Sequence, residues 1–520
     1  MTEELIMLPN PRRLRRLEGN LALRPEGFIF LGRRPSPGVQ SAARLVQDAL
    51  RPTGARWELT AARGGDPGML RAILAVDPAR VPREEGYSLY LGPDGIRLTG
   101  HDEAGVFYGA VTLRQILRGV APGGAIPALQ IEDWPDYRYR GVMLDISRDK
   151  VPSLDTLLGL VDLLAELKLN QFQLYTEHTY AYRNHREVWQ EASPLTGEEI
   201  LLLDAYCRER HIELVPNQNS FGHLSRWLKH PRYRHLAEAP DGFTFPWGAR
   251  SGGPFSLCPL EPGALTFLAE LYDELLPHFS SGQFNVGCDE TFDLGRGRSA
   301  EACRERGVGR VYLEFLLKVH RLVAERGRTM QFWGDIIGQH PELIPELPRE
   351  TIALAWGYEA DHPFAAEGER FAAAGIPFYV CPGTSSWNSI AGRTSNALGN
   401  LLNAAEQGLA HGAIGYLNTD WGDNGHWQPL PVSYLGYAYG AAVSWCLPAN
   451  REIDLPRALD RHVFLDRGGI MGQAAFDLGE AYRVSGMLLP NSSILHGLLL
   501  DPEHPLVHER FGALTAESLA

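Results

Sequence analysis

The chain has 520 residues, of which 44 % are hydrophobic and 22 % are charged, and its formal net charge is −14. This length exceeds what one ordinary hydrophobic core organises, so we expect a globular protein with more than one domain. The negative charge argues against a nucleic-acid partner, because such a partner selects a basic protein face.

The cellular context is indicated by three features. No run of about 18 apolar residues, the length that spans a membrane, occurs in the chain. The acidic start, Met1-Thr-Glu-Glu, is not followed by the apolar stretch of a secretion signal. The six cysteines form no Cys-x-x-Cys pair, which is typical of reduced structural thiols. We therefore expect a cytoplasmic protein that has no membrane partner.

Residues 1–134 have the pattern of a small α+β domain. Residues 41–50 and 103–117 have helical periodicity. Residues 87–91 alternate as a strand, and the turn Gly92-Pro-Asp-Gly returns the chain as a second strand over 96–99. The Asp133-Trp-Pro-Asp stretch marks the predicted end of this domain.

Residues 135–448 alternate short apolar strands with amphipathic helices. Eight such β-then-α units predict a (β/α)8 barrel, with a doubly wound sheet as the structural alternative. Residues 449–520 are predicted to form a helical C-terminal extension. The predicted barrel strands are 141–144, 171–175, 213–216, 284–286, 331–333, 352–356, 378–381 and 413–417.

Carboxylates and tryptophans follow these predicted strands. Barrel enzymes place their chemistry at the C-terminal ends of the strands, so these side chains are expected to meet. Carboxylates accept hydrogen bonds from sugar hydroxyls, and tryptophan rings stack on the apolar faces of sugars. We therefore predict a sugar-binding site. Its candidate residues are Asp145, Glu177, His178, residues 217–223, Asp289, Glu290, Trp333, Asp335, Trp356, Glu359, Trp387 and residues 420–423.

The most specific element is the segment Phe284-Asn-Val-Gly-Cys-Asp-Glu-Thr. An apolar strand leads directly into two adjacent carboxylates, Asp289 and Glu290. Neighbouring side chains of a strand point to opposite faces, so both reach one pocket only if the strand has already ended. A protonated carboxyl at such a position can donate its proton to a glycosidic oxygen.

These motifs together resemble glycoside hydrolase family 20, the β-N-acetylhexosaminidases. The resemblance covers about residues 85–445 and includes the small domain that precedes the family's barrel. Its motifs are Tyr139-Arg140-Gly141-Val-Met-Leu-Asp-Ile-Ser-Arg148, Gly222-His223 and Gly287-Cys-Asp289-Glu290.

The resemblance implies an exo-acting, retaining β-N-acetylhexosaminidase that uses substrate-assisted catalysis. In that family the acetamido oxygen of the substrate attacks its own anomeric carbon and forms an oxazoline-type intermediate. Glu290 would protonate the leaving oxygen and then activate water. Asp289 would hold the acetamido N–H and stabilise the charge that develops on this group.

The resemblance also implies roles for substrate-binding residues. Arg140 would bind ring hydroxyls in a bidentate manner, and Asp423 would take the outer hydroxyls. Glu177 and His223 would form a supporting pair near Glu290. The residues implied to line the acetamido pocket and the sugar floor are Trp333, Trp356 and Trp421.

The tyrosine that binds the acetamido oxygen in this family has no matching motif here. Tyr379 and Tyr416 are the candidates, and Trp387 is a candidate for part of the same wall. The Thr176-Glu-His stretch departs from the family's usual His-x-x-Asp-Asp. These departures are typical of a divergent branch and bear on acceptor preference more than on the reaction.

Two other functions stay open at this stage. One is a barrel glycosidase that acts on sugars without an acetamido group through two separate carboxylates, for example Glu177 and Glu290. The other is a non-catalytic sugar-binding protein. We expect neither a metal nor a cofactor, because no His-Glu-x-x-His or dinucleotide motif occurs. A homodimer is compatible with the sequence.

Overall fold

The computed structural model describes residues 5–62 and 67–500. The first part is a mixed seven-stranded sheet with the strand order β1-β7-β5-β6-β4-β2-β3. Its strands are β1 (Arg13–Ala22), β2 (Glu26–Phe30), β3 (Arg56–Thr60), β4 (Leu70–Val76), β5 (Tyr87–Gly92), β6 (Gly95–Gly100) and β7 (Ala125–Asp133).

Two helices, α1 (Pro37–Leu50) and α2 (Glu103–Leu117), belong to this domain. Helix α1 begins four residues before its prediction, because the Ser36 side chain caps its N-terminus and Pro37 fits the first helical turn. Helix α2 has its predicted bounds, and Asp102 caps it. The predicted hairpin is present as the antiparallel pair β5 and β6. The small α+β domain is therefore confirmed.

Eight parallel strands form the second part, in the order β10-β9-β8-β15-β14-β13-β12-β11. A bridge between Asn217 and Asn285 joins the two ends of this order, so the sheet closes as a barrel and is not doubly wound. The strands are β8 (Tyr139–Asp145), β9 (Gln171–Tyr175), β10 (Glu213–Val215), β11 (Gln283–Asn285), β12 (Thr329–Trp333), β13 (Ile352–Trp356), β14 (Phe378–Cys381) and β15 (Gly415–Asp420).

Helices connect successive strands and surround the barrel. Ser153 caps the first of them, and Thr196 and Glu199 form a capping box on another. The helices are α3 (Leu154–Glu166), α4 (Arg186–Trp189), α5 (Gly197–Arg208), α6 (Ser225–Leu228), α7 (Pro262–Leu275), α8 (Ala300–Arg306), α9 (Val308–Glu325), α10 (Asp335–Gly338), α11 (Phe364–Ala374), α12 (Thr394–Ala410) and α13 (Tyr434–Trp445).

The N-terminal ends of the barrel strands pack on the first domain through buried polar contacts. The Lys168 ammonium lies 3.2 Å from an Asp133 carboxylate oxygen, and both side chains are fully buried. The same Asp133 oxygen accepts hydrogen bonds from Tyr87 and Trp445. Burying two opposite charges costs free energy unless they pair closely and further hydrogen bonds satisfy their remaining donors and acceptors. This network fixes the barrel on the first domain and leaves the opposite rim open.

The C-terminal extension is helical with one added feature. After helices α14 (Leu447–Asn450), α15 (Leu455–His462) and α16 (Met471–Leu478), the chain forms a two-stranded hairpin, β16 (Leu488–Leu489) and β17 (Ser492–Ser493), before helix α17 (Ile494–Leu500). The part of the predicted extension over 501–520 lies outside the described residues. Among the described helices, none combines the length and the apolarity needed to cross a membrane.

Candidate active site

A cavity of about 130 Å³ opens at the C-terminal end of the barrel strands. Pockets for larger, drug-sized ligands measure several hundred Å³, so this one suits a single small ring. Its walls combine charged groups with aromatic rings. The lining residues are Arg148, His223, Asp289, Glu290, Trp333, Trp356, Tyr358, Trp387, Trp421, Asp423 and Asn491.

The Asp289-Glu290 pair lies in a tight turn after strand β11. The strand ends at Asn285, and Gly287, Cys288 and Glu290 all have positive φ angles, of 67°, 67° and 46°. A Cβ on Gly287 would lie 1.6 Å from the side-chain oxygen of a neighbouring asparagine, so only glycine fits there. Because the extended backbone is broken, both carboxylates face the same cavity.

The backbone of this turn is held by buried hydrogen bonds. The Glu290 N–H donates to an Asp335 carboxylate oxygen at 3.1 Å, and the Tyr312 hydroxyl donates to the Cys288 carbonyl at 2.8 Å. Burial and the charge of Asp289 raise the pKa of Asp335 well above its ordinary value. A strained turn keeps its conformation only where surrounding contacts hold it, and these two hydrogen bonds do so here.

His223 lies between three carboxylates. Its Nε2 atom is 3.2 Å from a Glu290 oxygen and 3.4 Å from an Asp289 oxygen, and its Nδ1 atom is 3.6 Å from a Glu177 oxygen. Burial alone lowers the pKa of His223, but the attraction of Asp289, Glu290 and Glu177 outweighs it and raises this pKa well above its ordinary value. His223 is therefore a cation that balances the carboxylates around it.

Glu177 lies behind His223 and does not line the cavity. Arg148 donates to Glu177 at 2.5 Å and the Tyr175 hydroxyl donates to the same oxygen at 3.0 Å. Burial raises the pKa of Glu177, while Arg148 and His223 lower it in part. Glu177 thus holds Arg148 and His223 in place, and both of these reach the cavity.

Five aromatic rings form a continuous wall of the cavity. The rings of Trp356 and Tyr358 stack at 5.1 Å, and Trp387 meets Tyr358 edge-on at the same distance. Trp421 lies 6.0 Å from Trp333 and donates its indole N–H to the Tyr358 hydroxyl at 2.7 Å. These contacts leave the rings little freedom, so the wall has a fixed shape before any ligand binds.

Asp423 also lines the cavity. The Asn388 amide donates to it at 3.1 Å. Burial, offset in part by Arg148, raises the pKa of Asp423 to about 6. This carboxylate is ionised at neutral pH and can accept hydrogen bonds from two hydroxyls of a bound sugar.

His223, Asp289 and Glu290 also offer three possible metal-ligand atoms within 4.8 Å of one another. A histidine ligand must be neutral, because the metal takes the lone pair of its nitrogen. Without a metal ion, the carboxylates raise the pKa of His223 and keep a proton on its ring, so the three groups form an ion-paired cluster.

Eight of the residues that the sequence singled out line this cavity, and the other candidates do not. Glu177 does not line the cavity but contacts two residues that do, His223 and Arg148. The predicted residues that line the cavity are Glu290, Asp289, His223, Trp333, Trp356, Trp387, Trp421 and Asp423.

The expected role of Arg140 is wrong. Arg140 is the second residue of β8 and lies at the opposite end of the barrel, where it is fully buried. Its guanidinium donates to the backbone carbonyls of Tyr137 and Lys168 and pairs with Glu85 at 2.8 Å. The Glu85 contact joins the barrel to the first domain, and none of these partners lines the cavity, so Arg140 cannot bind a sugar there.

The two tyrosine candidates for the acetamido oxygen are also wrong. The Tyr379 hydroxyl lies inside the lower barrel and donates to the Gln283 side chain at 3.1 Å. The Tyr416 hydroxyl points away from the barrel axis and donates to the Leu401 carbonyl of helix α12 at 3.0 Å. Each tyrosine is the second residue of its strand, which places it far from the C-terminal rim.

Sequence reasoning missed three cavity residues: Arg148, Tyr358 and Asn491. Arg148 follows β8 by three residues and Tyr358 follows β13 by two, so their positions after a strand could have identified them. Asn491 comes from the C-terminal hairpin, and no local pattern indicates that this segment reaches the barrel rim.

Family models match most of the chain. The model for glycosyl hydrolase family 20, domain 2, matches residues 4–134, and the model for the catalytic domain of the same family matches residues 137–396. The catalytic model alone covers half of the chain. The chain therefore belongs to glycosyl hydrolase family 20.

Individual relatives agree with this assignment. A β-N-acetylhexosaminidase of Cellulomonas fimi is 31 % identical over 374 residues, which are 68 % of this chain and 68 % of that protein. A β-hexosaminidase of Porphyromonas gingivalis is 24 % identical over 331 residues, which are 58 % of this chain and 42 % of that protein. A β-hexosaminidase of Akkermansia muciniphila is 29 % identical over 305 residues, covering 52 % of this chain and 60 % of that protein. The chain thus spans about half the length of these last two relatives.

A solved structure has the same fold. The N-acetyl-β-hexosaminidase of Streptomyces plicatus superposes with a TM-score of 0.69 and 19 % identity, over 91 % of this chain and 95 % of that chain. The architecture described above, a sheet domain followed by a barrel, is therefore shared with a solved protein over nearly its full length.

Proposed function

We propose that the protein is an exo-acting, retaining β-N-acetylhexosaminidase that removes terminal N-acetylglucosamine or N-acetylgalactosamine from β-linked glycans. The observation that carries this proposal is the turn after β11, which directs Asp289 and Glu290 together into a cavity walled by aromatic rings. The small size of that cavity favours one terminal sugar.

In the first step, Glu290 acts as the general acid. Its carboxyl proton passes to the glycosidic oxygen while the bond from this oxygen to the anomeric carbon breaks. The acetamido oxygen of the same sugar attacks the anomeric carbon from the other face and forms an oxazolinium ring, and the aglycone leaves as an alcohol.

In the second step, the Glu290 carboxylate acts as the general base. It takes a proton from water as the water oxygen attacks the anomeric carbon, and the oxazolinium ring opens to restore the acetamido group. Two inversions at one carbon retain the β configuration. His223, charged and 3.2 Å from Glu290, stabilises the carboxylate between these steps.

In this scheme Asp289 binds and orients the acetamido group of the substrate. Its carboxylate accepts the acetamido N–H, which orients the amide oxygen toward the anomeric carbon and stabilises the positive charge that develops on the ring. One Asp289 oxygen has no hydrogen-bond partner among the described residues, although it is buried. A buried acceptor without a hydrogen bond destabilises the protein, and a hydrogen bond from a ligand removes this cost.

The remaining cavity residues bind the sugar. The Tyr358 hydroxyl accepts a hydrogen bond from Trp421, so its own proton can be donated to the acetamido oxygen. Trp333, Trp356, Trp387 and Trp421 enclose the methyl group and the apolar ring face. Arg148 and Asp423 reach the outer hydroxyls, a role that the sequence had assigned in part to Arg140.

The mechanism with two separate carboxylates is less well supported. Glu177 accepts hydrogen bonds from Arg148 and Tyr175 and lies behind His223, so it has no path to an anomeric carbon in the cavity. A purely sugar-binding function does not explain a buried histidine paired with two carboxylates at the end of a strained turn.

An oxazoline mimic tests the proposal directly. A thiazoline analogue of N-acetylglucosamine resembles the intermediate, so it is expected to bind on the order of 10²-fold more tightly than free N-acetylglucosamine. Both inhibition constants are measured against a chromogenic β-N-acetylglucosaminide. Equal inhibition by the two compounds would contradict the substrate-assisted mechanism and favour a second carboxylate.

The pH profile depends on Asp423. Only its ionised form accepts hydrogen bonds from two hydroxyls, and its pKa is about 6. The value of kcat/KM is therefore expected to fall as the pH decreases through about 6 and to level off at the lower activity of the enzyme with neutral Asp423. In the Asp423→Asn variant, kcat/KM is expected to stay at a constant lower value and not to fall near pH 6. If kcat/KM of the variant still falls near pH 6 as in the wild type, another group is responsible for that fall.

Location and assembly are further parts of the proposal. All six cysteines are free and buried, which favours a reducing compartment such as the cytoplasm. A homodimer is testable by analytical ultracentrifugation. Asn491 of the same chain contributes to the rim of the cavity, so the pocket does not depend on a partner subunit to supply that position.

A further inference from the structure

The C-terminal hairpin approaches the cavity from outside the barrel. Its turn, Pro490-Asn491, joins β16 to β17, and Asn491 has a φ of 55°. Proline followed by asparagine suits a turn whose second central residue has positive φ. This turn places Asn491 among the cavity residues, 201 positions after Glu290 in the chain.

An ion pair between a buried arginine and a partly exposed glutamate fixes the hairpin on the barrel. Arg393, whose side chain is 2 % exposed, donates to both carboxylate oxygens of Glu359 at 3.0 and 2.9 Å. Glu359 in turn accepts the Asn491 backbone N–H at 2.8 Å, and Arg393 donates to the Leu489 carbonyl at 3.2 Å. Bidentate pairs of this kind impose geometry as well as energy. The turn is therefore held in place before a ligand binds.

A second link joins the hairpin to Asp423. The Asn388 side-chain amide donates to Asp423 at 3.1 Å and to the Asn491 backbone carbonyl at 3.4 Å. The Asn388 backbone carbonyl also accepts the Ser493 N–H at 2.8 Å. The turn and the proposed hydroxyl-binding carboxylate are thus positioned by one asparagine.

The side chain of Asn491 has an unused acceptor. Its Oδ1 atom is buried and has no hydrogen-bond partner among residues 5–62 and 67–500. An unpaired buried acceptor destabilises the unliganded protein. A hydrogen bond from a bound ligand removes this cost. The donors that a terminal sugar presents on the side away from its anomeric carbon are hydroxyl groups.

We propose that Asn491 is a further substrate-binding residue, whose side-chain oxygen accepts a hydrogen bond from an outer hydroxyl of the terminal sugar. The hairpin then also closes the non-reducing side of the cavity and excludes any longer chain there. This inference deepens the proposed function, on which it rests for the identity of the sugar.

The test combines a side-chain deletion with substrates that lack single hydroxyls. Asn491→Gly removes the amide and keeps the positive φ, which glycine adopts without strain. Chromogenic β-N-acetylglucosaminide and its 4-deoxy and 6-deoxy analogues are compared by kcat/KM in both proteins. Leu488→Ala is the control, because Leu488 is in the same hairpin and is 61 % exposed.

The variant is expected to lose roughly tenfold in kcat/KM on the full substrate, the effect of one hydrogen bond. On the analogue that lacks the bound hydroxyl, variant and wild type are expected to be equal. No loss on any substrate, or an equal loss on all three, would overturn the role of Asn491. If the wild type prefers plain β-glucosides, the same comparison with deoxy-glucosides still tests Asn491, while the proposed function itself fails.

Discussion

Glu290→Gln is expected to lower kcat/KM for an alkyl β-N-acetylglucosaminide by about 10²–10⁴-fold, the usual contribution of a general acid–base group. Glutamine fills the same space beside His223 but has no proton to give to the glycosidic oxygen. The loss is expected to shrink for a dinitrophenyl glycoside, whose leaving group departs without protonation. Initial rates over a series of leaving groups measure this difference.

The matched control for that variant is Glu301→Gln, which makes the same chemical change on the exposed surface of helix α8. It is expected to leave kcat/KM unchanged. If Glu290→Gln retains wild-type activity on the alkyl glycoside, or loses the same factor for every leaving group, another residue is the acid.

Asp289→Asn is expected to lower kcat for β-N-acetylglucosaminides by about 10²–10³-fold, as removal of a preorganised electrostatic contact does in other enzymes. The amide has no charge to stabilise the oxazolinium ring, and it can present its NH₂ group to the acetamido N–H. The thiazoline analogue is expected to lose affinity by a similar factor, because it carries the same ring. Steady-state kinetics and inhibitor titration measure the two effects.

The control here is Asp361→Asn, on an exposed loop after β13. This variant tests whether the loss of any one carboxylate on this side of the barrel lowers kcat or the affinity for the thiazoline. A variant of Asp289 that keeps full affinity for the thiazoline but turns over slowly would assign Asp289 to the leaving group and not to the acetamido group.

Asp289→Asn also has a consequence for His223. The charge of Asp289 is the strongest contribution that raises the pKa of this histidine. The pKa of His223 is therefore expected to fall in the variant, which weakens the stabilisation of the Glu290 carboxylate. Part of the kinetic loss arises by this route and appears as a shifted pH profile.

The barrel was predictable from the sequence because its strands and helices differ in period and length. Strands β9, β13 and β14 have their predicted bounds, since each is a short run rich in apolar residues between turn residues. The Asp289-Glu290 pair was predictable for the same reason. It follows an apolar strand directly, and this position in a barrel faces the ligand.

The errors share one physical cause. Arg140, Tyr379 and Tyr416 are each the second residue of a strand, whereas the cavity is lined by residues at or after the end of a strand. A strand rises about 3.3 Å per residue, so the five residues of β8 that follow Arg140 carry the chain through most of the barrel height before it reaches Arg148. A motif that spans a whole strand therefore contains one arginine with a structural role and one arginine that lines the cavity.

Asn491 could not be predicted, because its position depends on distant contacts. Glu359 lies 132 positions and Asn388 lies 103 positions earlier in the chain than Asn491. Helical and strand periodicity report only local neighbours. The sequence of the extension therefore predicted helices and gave no sign of a hairpin at the cavity.

The central claim is that the acetamido group of the substrate takes part in the reaction. Its most direct test compares wild-type kcat/KM on the p-nitrophenyl β-N-acetylglucosaminide, β-N-acetylgalactosaminide and plain β-glucoside. We expect turnover of one or both acetamido sugars, and a kcat/KM for the plain glucoside lower by at least about 10²-fold, because the intramolecular nucleophile is missing. Comparable turnover of the plain glucoside would contradict the account.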